Sequence, residues 1–252
     1  MKILDGIRVL DLTNVLSGPF ASQHLALCGA EVIKIENPNG GDLARKLGNV
    51  PEYNQQLMGT SFLAQNSNKK SITINLKAEE GKNIFRKLAK TADVVIENFR
   101  PGVMKRLGLS YEQLMDINPK IVYCAISGFG QEGPEALKPA YDQIIQGLSG
   151  VMSINGDESL NPLRCGFPVC DTVGGLNAAF AVMAALLVFP SLAQSTDSAE
   201  RSDVITVTGM IEAVDAETRE VTIKGEDGMS TVFEAGADVA NFDQIKMGDK
   251  VT

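Results

Sequence analysis

The N-terminal segment predicts a β-α-β unit, and this unit limits the fold more than any other feature of the sequence. Residues 7–12 have the apolar, β-branched character of a strand, and residues 31–36 repeat it. Between them we expect a helix from Pro19 to about Leu27, because Pro suits the first turn of a helix and Gly29 can end one. Two strands joined by a helix pair in parallel and leave a ligand crevice at their carboxyl ends. The sequence therefore predicts an α/β fold.

Further strands and helices follow in the alternating order that a parallel sheet requires. Residues 78–89 have an amphipathic helical pattern, and Ser110 begins a capping box for a short helix. Residues 43–70 are polar and irregular, with a short helix expected near Pro51. The first β-α-β unit, over residues 7–36, lacks a Gly-x-Gly-x-x-Gly fingerprint, which makes a nicotinamide dinucleotide less favoured there. Three more strands are predicted at residues 71–76, 94–97 and 121–126. We expect a Rossmann-like parallel sheet domain that is incomplete.

Charge divides the chain into two parts of different character. Residues 1–188 hold eighteen Lys and Arg against eighteen Asp and Glu, whereas the remaining residues hold five against thirteen. The whole net charge of -8 therefore comes from the C-terminal part, which also lacks cysteine. We expect a large α/β part over residues 1–188, a linker over 189–202 and a small, incomplete β domain over 203–252.

The C-terminal part has a β pattern that resembles a small exported domain. Residues 204–214 predict a strand with a glycine bulge, and residues 219–224 and 229–234 predict its successors. Residues 241–252 are similar to a loop and the start of a further strand. Residues 183–194 have the apolar core and small residues of a secretory signal cleavage region. For residues 176–188 we prefer the simpler interpretation, a helix that belongs to the first part.

Several classes of function are disfavoured by the composition. His24 is the only histidine and no cysteine pair has Cys-x-x-Cys spacing, so a zinc site has too few ligands. The N-terminus has no export core and no apolar run reaches the length of a membrane span, which favours a cytoplasmic protein without membrane contact. No basic or aromatic cluster indicates nucleic-acid binding. The cysteines, expected to be buried and reduced, are Cys28, Cys124, Cys165 and Cys170.

A single carboxylate, Asp171, stands between a short extended segment at residues 166–170 and an apolar run at residues 176–188. It is expected at or near a helix N-terminus, where the helix dipole favours its ionised form. An ionised carboxylate can attack an activated acyl group. An Asp at this position is more often a simple N-cap, so local pattern leaves both interpretations open.

Several short motifs occur in one order and spacing along the first part of the chain. They are Asp-Leu-Thr at residues 11–13, Ser-Gly-Pro at 17–19, the segment 29–36, Glu-Asn-Phe-Arg-Pro-Gly at 97–102, Ser-Gly-Phe-Gly-Gln at 127–131, Pro-Ala-Tyr-Asp at 139–142, and Asp171. Together they resemble the N-terminal half of a family III CoA-transferase, up to about residue 188. This family includes formyl-CoA transferase, carnitine CoA-transferase and α-methylacyl-CoA racemase. The resemblance implies a Rossmann-like large domain, an interlocked homodimer and acyl-CoA and carboxylic acid substrates.

The resemblance also implies the roles of individual residues. Asp171 would be the catalytic nucleophile, forming a mixed anhydride and then an aspartyl-CoA thioester, and the reaction would need no metal or cofactor beyond CoA as substrate. Lys77, Arg100 and Arg106 would complement the CoA phosphates, and Phe99 would contact the adenine. From the residues alone, Arg100 and Arg106 could equally be surface charges and Phe99 a core residue. The implied CoA-binding residues are Leu16, Ser17, Leu76, Lys77, Asn98, Phe99, Arg100, Arg106, Tyr141 and Asp142.

Three positions depart from the family pattern. Asn37 stands where some members have an arginine near the adenine, and Pro139 where formyl-CoA transferase has a lysine. Tyr141 stands where the racemases have a histidine base, so proton exchange next to a thioester lacks a partner. The sequence therefore favours a transferase over an acyl-CoA racemase.

Two hypotheses follow from these observations. The first is a CoA-transferase whose active site is incomplete, because the family's small domain and glycine-rich loop are not visible in this sequence. The second is a non-catalytic chimera whose C-terminal β segment is an interaction or ligand-binding module. The donor and acceptor acids are not specified by either.

Overall fold

The computed structural model describes residues 2–157, 159–160, 162–196, 209–216, 218–225, 228–234 and 246–251. Its contacts divide the chain into two compact units, Met1–Leu192 and Ala193–Thr252. Residues 189–196, part of the predicted linker, continue a helix, and residues 197–202 lie outside the described residues. The domain limits derived from the sequence stay a prediction.

A parallel sheet forms the centre of the first unit. In the described residues it has the order β3-β2-β1-β4-β5, and every neighbouring pair is parallel. The chain runs from β1 outward to β3 on one side and then to β4 and β5 on the other, so the strand order reverses between β1 and β4. Ligands bind at such a switch point in open α/β sheets. The strands are β1 (Arg8–Asp11), β2 (Glu31–Glu36), β3 (Lys69–Thr73), β4 (Val94–Glu97) and β5 (Val122–Ala125). The predicted α/β, Rossmann-like class is confirmed.

Helices cover both faces of this sheet. On one face Val9 and Leu25 pack with Ala179, so α1 and α8 lie there. On the other face Leu10 packs with Phe85 and other side chains of α4 to α6. The helices are α1 (Ser17–Leu27), α2 (Pro51–Gln55), α3 (Thr60–Leu63), α4 (Glu79–Ala89), α5 (Val103–Leu107), α6 (Tyr111–Met115), α7 (Asp142–Leu148) and α8 (Val169–Thr196).

Most predicted elements are confirmed, and the deviations have local causes. The capping box at Ser110 is present, with its backbone N–H donating to Gln113 Oε1 over 2.9 Å. Strand β3 runs from Lys69 to Thr73, so it begins two residues and ends three residues before the predicted strand, and its first residue pairs with Val32 of β2. The buried Lys69 ammonium contacts Asp11 at 3.0 Å. An apolar alternation could not reveal a strand that begins with a buried cation.

Helix α8 lies against α1 at a very short distance. A Cβ added at Gly175 would come within 2.5 Å of the Ser17 carbonyl oxygen, so only glycine fits this crossing.

The segment Val169–Val188 is long and apolar enough to cross a membrane, contrary to the prediction that no run reaches that length. Length and composition are weak evidence, since a core helix meets the same test. Ala179 and Val182 of this helix are buried in the first unit.

The second unit is a small antiparallel sheet in the order β8-β7-β6-β9. Its side chains Ile211 and Val221 are buried, and a bulge interrupts β6 between Ile211 and Ala213 rather than at Gly209. The predicted strand residues 204–208 and loop residues 241–245 lie outside the described residues. The strands are β6 (Gly209–Asp215), β7 (Glu220–Gly225), β8 (Ser230–Glu234) and β9 (Lys250–Val251).

Candidate active site

Asp171 lies in the first turn of α8, as the sequence predicts, but it does not cap the helix. The cap is Asp142, whose Oδ1 accepts hydrogen bonds from the backbone N–H of Cys170 at 2.8 Å and of Asp171 at 3.2 Å. The first N–H groups of a helix lack intrahelical partners, so a carboxylate there satisfies them. The carboxylate of Asp171 is therefore left for other contacts.

Gln146 connects this cap to the loop that precedes α8. Its Nε2 donates to Asp142 Oδ2 at 2.5 Å, and its Oε1 accepts from the backbone N–H of Cys165 at 2.8 Å. Gln146 is completely buried and Asp142 nearly so. Both side chains extend from α7, four residues apart and thus on one helix face. Helix α7 therefore holds the first turn of α8, which carries Asp171. The role in CoA binding that the resemblance implies for Asp142 stays a prediction.

The pKa of Asp171 is raised to about 6, first by burial and second by the negative charge of Asp142. Both disfavour the ionised form, because a carboxylate loses hydration on burial and is repelled by a like charge. The sequence predicted only the opposite influence, that of the helix dipole. With a pKa of about 6 the carboxylate still ionises at neutral pH, and it is more basic than an ordinary Asp.

A cavity of about 550 Å³ opens at the carboxyl ends of β1 to β4. Its walls combine apolar side chains with the amides of Asn14, Asn37, Asn39 and Asn75. Three of the predicted CoA-binding residues line it: Leu76, Lys77 and Phe99. A cleft with apolar walls and a few polar groups suits a heteroaromatic ligand of moderate size.

The lining of this large cavity carries more positive than negative charge. Its only acidic lining residue among those described is Glu36, which Arg45 binds through two hydrogen bonds of 2.6 Å. Burial opposes the ionisation of Glu36, but these bonds and one from Ser71 outweigh it and lower its pKa to about 2. Lys46 and Lys77 also line the cavity and have no ion-pair partner among the described residues. The cavity therefore offers two cations to an anionic group.

A smaller cavity of about 190 Å³ lies beside the first, near β4 and β5. Asn98, Phe99, Arg100 and Tyr141 line it, and Phe99 therefore separates the two cavities. Tyr141 is 69% exposed. These four predicted residues are thus brought together, although they come from two distant segments of the chain.

The remaining predicted residues lie in neither cavity. Arg106 is exposed on α5. Leu16 and Ser17 begin α1, and Ser17 lies against Gly174 and Gly175 of α8. Because Gly174 and Gly175 follow Asp171 by three and four residues, they share its helix face. The loop after β1 therefore reaches the helix that carries Asp171.

Sequence reasoning missed a buried charge network beneath these loops. Lys34 Nζ lies 2.9 Å from Asp42 Oδ2 and donates to the Thr13 carbonyl oxygen at 2.7 Å. Lys69 Nζ lies 3.0 Å from Asp11 Oδ2, and all four charged side chains are at most 2% exposed. Burial opposes the ionisation of Asp11, but Lys34 and Lys69 outweigh it and lower its pKa to about 2. A charged residue in a strand pattern was the available signal, since buried charges need partners.

The described residues include no group of three or more His, Cys, Asp or Glu that could hold a metal ion. The four cysteines are free and half-buried.

The sequence of this chain is similar to the sequences of known proteins. A family model described as CoA-transferase family III matches residues 4–245. The chain belongs to this family. The match extends beyond residue 188, where the sequence prediction ended the resemblance.

Individual relatives show the same relationship over the first part of the chain. Succinate--glutarate CoA-transferase of Agrobacterium fabrum is 46% identical over 189 residues, which cover 73% of this chain and 47% of the relative. Formyl-CoA:oxalate CoA-transferase of Streptomyces avermitilis is 43% identical over 185 residues, covering 73% and 44%. The chain spans about half the length of the curated relatives it matches.

A solved structure gives the same fold. The crystal structure of a CAIB/BAIF family protein from Brucella suis is similar with a TM-score of 0.71 and 38% identity. The similarity covers 76% of this chain and 51% of that one.

Proposed function

We propose that this chain carries the CoA-binding loops and the nucleophile of a CoA-transferase, and that Asp171 forms the covalent bond with the acyl group. The observation that best supports this proposal is the contact between the loop after β1 and helix α8. Ser17 lies against Gly174 and Gly175, on the face of α8 that also carries Asp171. The loop thus connects the switch point of the sheet to the helix that carries Asp171, whose carboxylate has a pKa of about 6.

In this proposal the large cavity holds the adenosine end of CoA. Phe99 offers an aromatic contact to adenine, and Lys77 and Lys46 offer cations to the phosphates. Arg100 in the smaller cavity adds a cation on the other side of Phe99. A chain of phosphates and pantetheine leaving this region would extend toward the start of α1 and so toward α8.

The proposed reaction has four steps, and the CoA thiolate released in the first and third steps is the nucleophile of the step that follows. The Asp171 carboxylate attacks the thioester carbonyl carbon of the donor, the C–S bond breaks, and a mixed anhydride and CoA thiolate form. The thiolate attacks the aspartyl carbonyl carbon and releases the donor acid as a carboxylate. The acceptor carboxylate attacks the resulting aspartyl-CoA thioester, giving a second mixed anhydride and CoA thiolate. The thiolate then attacks the acceptor acyl carbon, which restores Asp171.

The raised pKa of Asp171 suits this chemistry. A more basic carboxylate is a better nucleophile, provided that it is ionised, and a pKa of about 6 satisfies both conditions near pH 7. Burial also removes water that would hydrolyse the anhydride. Residue 141 is a tyrosine and not the histidine base expected of a racemase, and this supports transfer over racemisation.

We further propose a homodimer, in which a second copy covers the exposed side of α8. Val173, Leu176, Phe180 and Leu187 are 51%, 48%, 69% and 76% exposed, and their spacing places them on one helix face. An apolar stripe of this kind is typical of an interface. Sedimentation should give a dimer that Leu187→Glu weakens, and a monomeric wild-type chain would contradict the proposal.

The cytoplasmic location expected from the sequence stays a prediction.

The chemistry can be tested by trapping. The chain is mixed with succinyl-CoA and hydroxylamine, and the peptide containing residue 171 is analysed by mass spectrometry. We expect a hydroxamate at Asp171, none in Asp171→Asn, and an unchanged yield in Asp116→Asn, which removes an exposed carboxylate outside the site. Absence of the hydroxamate in the wild-type chain together with absence of CoA binding would contradict the proposal.

The alternative function, a non-catalytic chimera with a C-terminal β module, is supported by the second compact unit. CoA binding with no hydroxamate would favour this alternative. A single unfolding transition of the whole chain, with no protease-sensitive joint near residues 190–202, would count against it.

A further inference from the structure

The loop after β1 contains a strained residue close to the candidate site. Val15 has a φ of 70°, in the left-handed region. A β-branched side chain is disfavoured there because its Cβ approaches the backbone, and such strain persists only where the surroundings impose it. Val15 lies between β1 and α1, at the point where the strand order of the sheet reverses.

Asn98 fixes the residue before it. Its Oδ1 accepts from the backbone N–H of Asn14 at 2.8 Å, and its Nδ2 donates to the carbonyl oxygen of Asn14 at 2.8 Å. One side chain therefore satisfies both main-chain groups of Asn14, as a neighbouring strand would. Because Asn98 directly follows β4, this pair of bonds connects the loops after β1 and β4 across the switch point.

Asp42 fixes the strained residue itself, from the opposite side. Its Oδ1 accepts from the backbone N–H of Val15 at 3.0 Å and from that of Ala44 at 2.9 Å. Asp42 is held in turn by the buried Lys34, which also binds the carbonyl oxygen of Thr13. Thr13, Asn14 and Val15 are thus bound by side chains that lie on or shortly after β2 and β4, the two strands that neighbour β1.

The direction of the chain after Val15 depends on this conformation. The next two residues begin α1, and Ser17 then lies against Gly174 and Gly175 on the Asp171 helix. If Val15 relaxed to a negative φ, Leu16 and Ser17 would leave this position.

We infer that Asn98 and Asp42 are positioning residues that hold Val15 in its strained conformation and so place the loop at residues 15–17 against the Asp171 helix. The inference rests on the proposed function, because it describes how the CoA site of that function is held open. It gives Asn98 a structural task where the family resemblance implies direct contact with CoA. The two roles can be distinguished, because only a positioning role depends on the strain at Val15.

A double-mutant cycle with CoA as the titrated ligand tests this inference. Asn98→Ala should weaken CoA binding about tenfold in the wild-type background, through loss of the two partly buried hydrogen bonds to Asn14. In the Val15→Gly background the same change should cost about threefold or less, because glycine adopts a positive φ without strain. Asn118→Ala is the matched control, since the Asn118 side chain also makes two hydrogen bonds to the main chain, donating to the carbonyl oxygens of Ala89 and Ala92, and lines neither cavity. It should leave CoA affinity unchanged.

Two results would overturn the inference. One is an equal loss of affinity from Asn98→Ala in both backgrounds, which indicates direct ligand contact. The other is no loss at all in the wild-type background.

Hydrogen exchange of the unliganded chain gives a second measurement that does not depend on CoA. The amides of residues 14–17 should exchange faster in Asn98→Ala, and the increase should be smaller in the Val15→Gly background. If the wild-type chain fails to bind CoA, the proposed function is contradicted and this exchange pattern still decides the inference. Unchanged exchange in Asn98→Ala would refute it.

Discussion

The raised pKa of Asp171 makes a quantitative prediction about stability. At neutral pH the folded chain contains a carboxylate that is partly desolvated and repelled by Asp142. Replacement by Asn keeps the size of the side chain and removes the charge. We therefore expect Asp171→Asn to abolish the aspartyl adduct and to make the first unit more stable than the wild type. A functional group that destabilises its own fold is a common cost of an active site.

The magnitude follows from the difference between the folded and ordinary pKa values. A rise from 3.8 to about 6 corresponds to at most about 3 kcal/mol. Because Asp171 is half-buried, solvent screening reduces the expected gain to about 1–2 kcal/mol. For a unit of this size the gain raises the midpoint of thermal unfolding by about 2–8 °C.

The pH dependence has a definite sign. The folded state of the wild type holds its proton more tightly than the unfolded state, so the penalty is complete above pH 6. It decreases as the pH falls from about 6 to 3.8 and is absent below, where the carboxylate is protonated in both states. The difference between Asp171→Asn and the wild type should decrease in the same interval.

Calorimetry and urea unfolding at pH 8, 6 and 4 provide the assay. Asp116→Asn, which changes an exposed carboxylate directly after α6, should alter stability by less than about 0.5 kcal/mol at pH 8. If Asp171→Asn were less stable than the wild type at pH 8, the assignment of Asp171 as an electrostatically strained carboxylate would be refuted. An equal gain at pH 8 and pH 4 would refute it as well.

Other variants test the surroundings of Asp171 and the cavities. Asp142→Asn removes one of the two causes of the raised pKa, so the pH profile of hydroxamate formation should move to lower pH; an unmoved profile would contradict the coupling. Lys34→Met leaves the buried Asp42 carboxylate without its ion-pair partner and should cost about 3–5 kcal/mol in urea unfolding, and a loss below about 1 kcal/mol would contradict the network. Phe99→Ala should weaken CoA binding about tenfold, measured by titration calorimetry, because Phe99 lines both cavities. An unchanged affinity would exclude the two cavities as the CoA site. Lys77→Ala should reduce the salt dependence of CoA binding, and an unchanged dependence would exclude it as a phosphate contact.

The sequence alone determined the architecture of the first unit. The strand and helix periodicities gave the α/β class, and the β-α-β order required a parallel sheet with its ligands at the carboxyl ends. The motif series identified the family, and the position of Asp171 before an apolar run predicted its place at the start of a helix. These features are local, or depend on order along the chain, and can therefore be recognised without a structure.

The tertiary structure decided how these residues act on one another. That Asp142 rather than Asp171 caps α8, and that its charge raises the pKa of Asp171, depends on two segments 29 residues apart meeting in space. The burial of Lys34 and the strain at Val15 can likewise be predicted only when the positions of β2 and β4, the strands on either side of β1, are known. Hydrogen bonds and charges act over a few ångströms, and the sequence does not specify which distant groups come that close. The resemblance predicts that Asp171 is the reacting residue, and this stays a prediction; only the fold determined the raised pKa of its carboxylate and the contacts that hold the start of its helix.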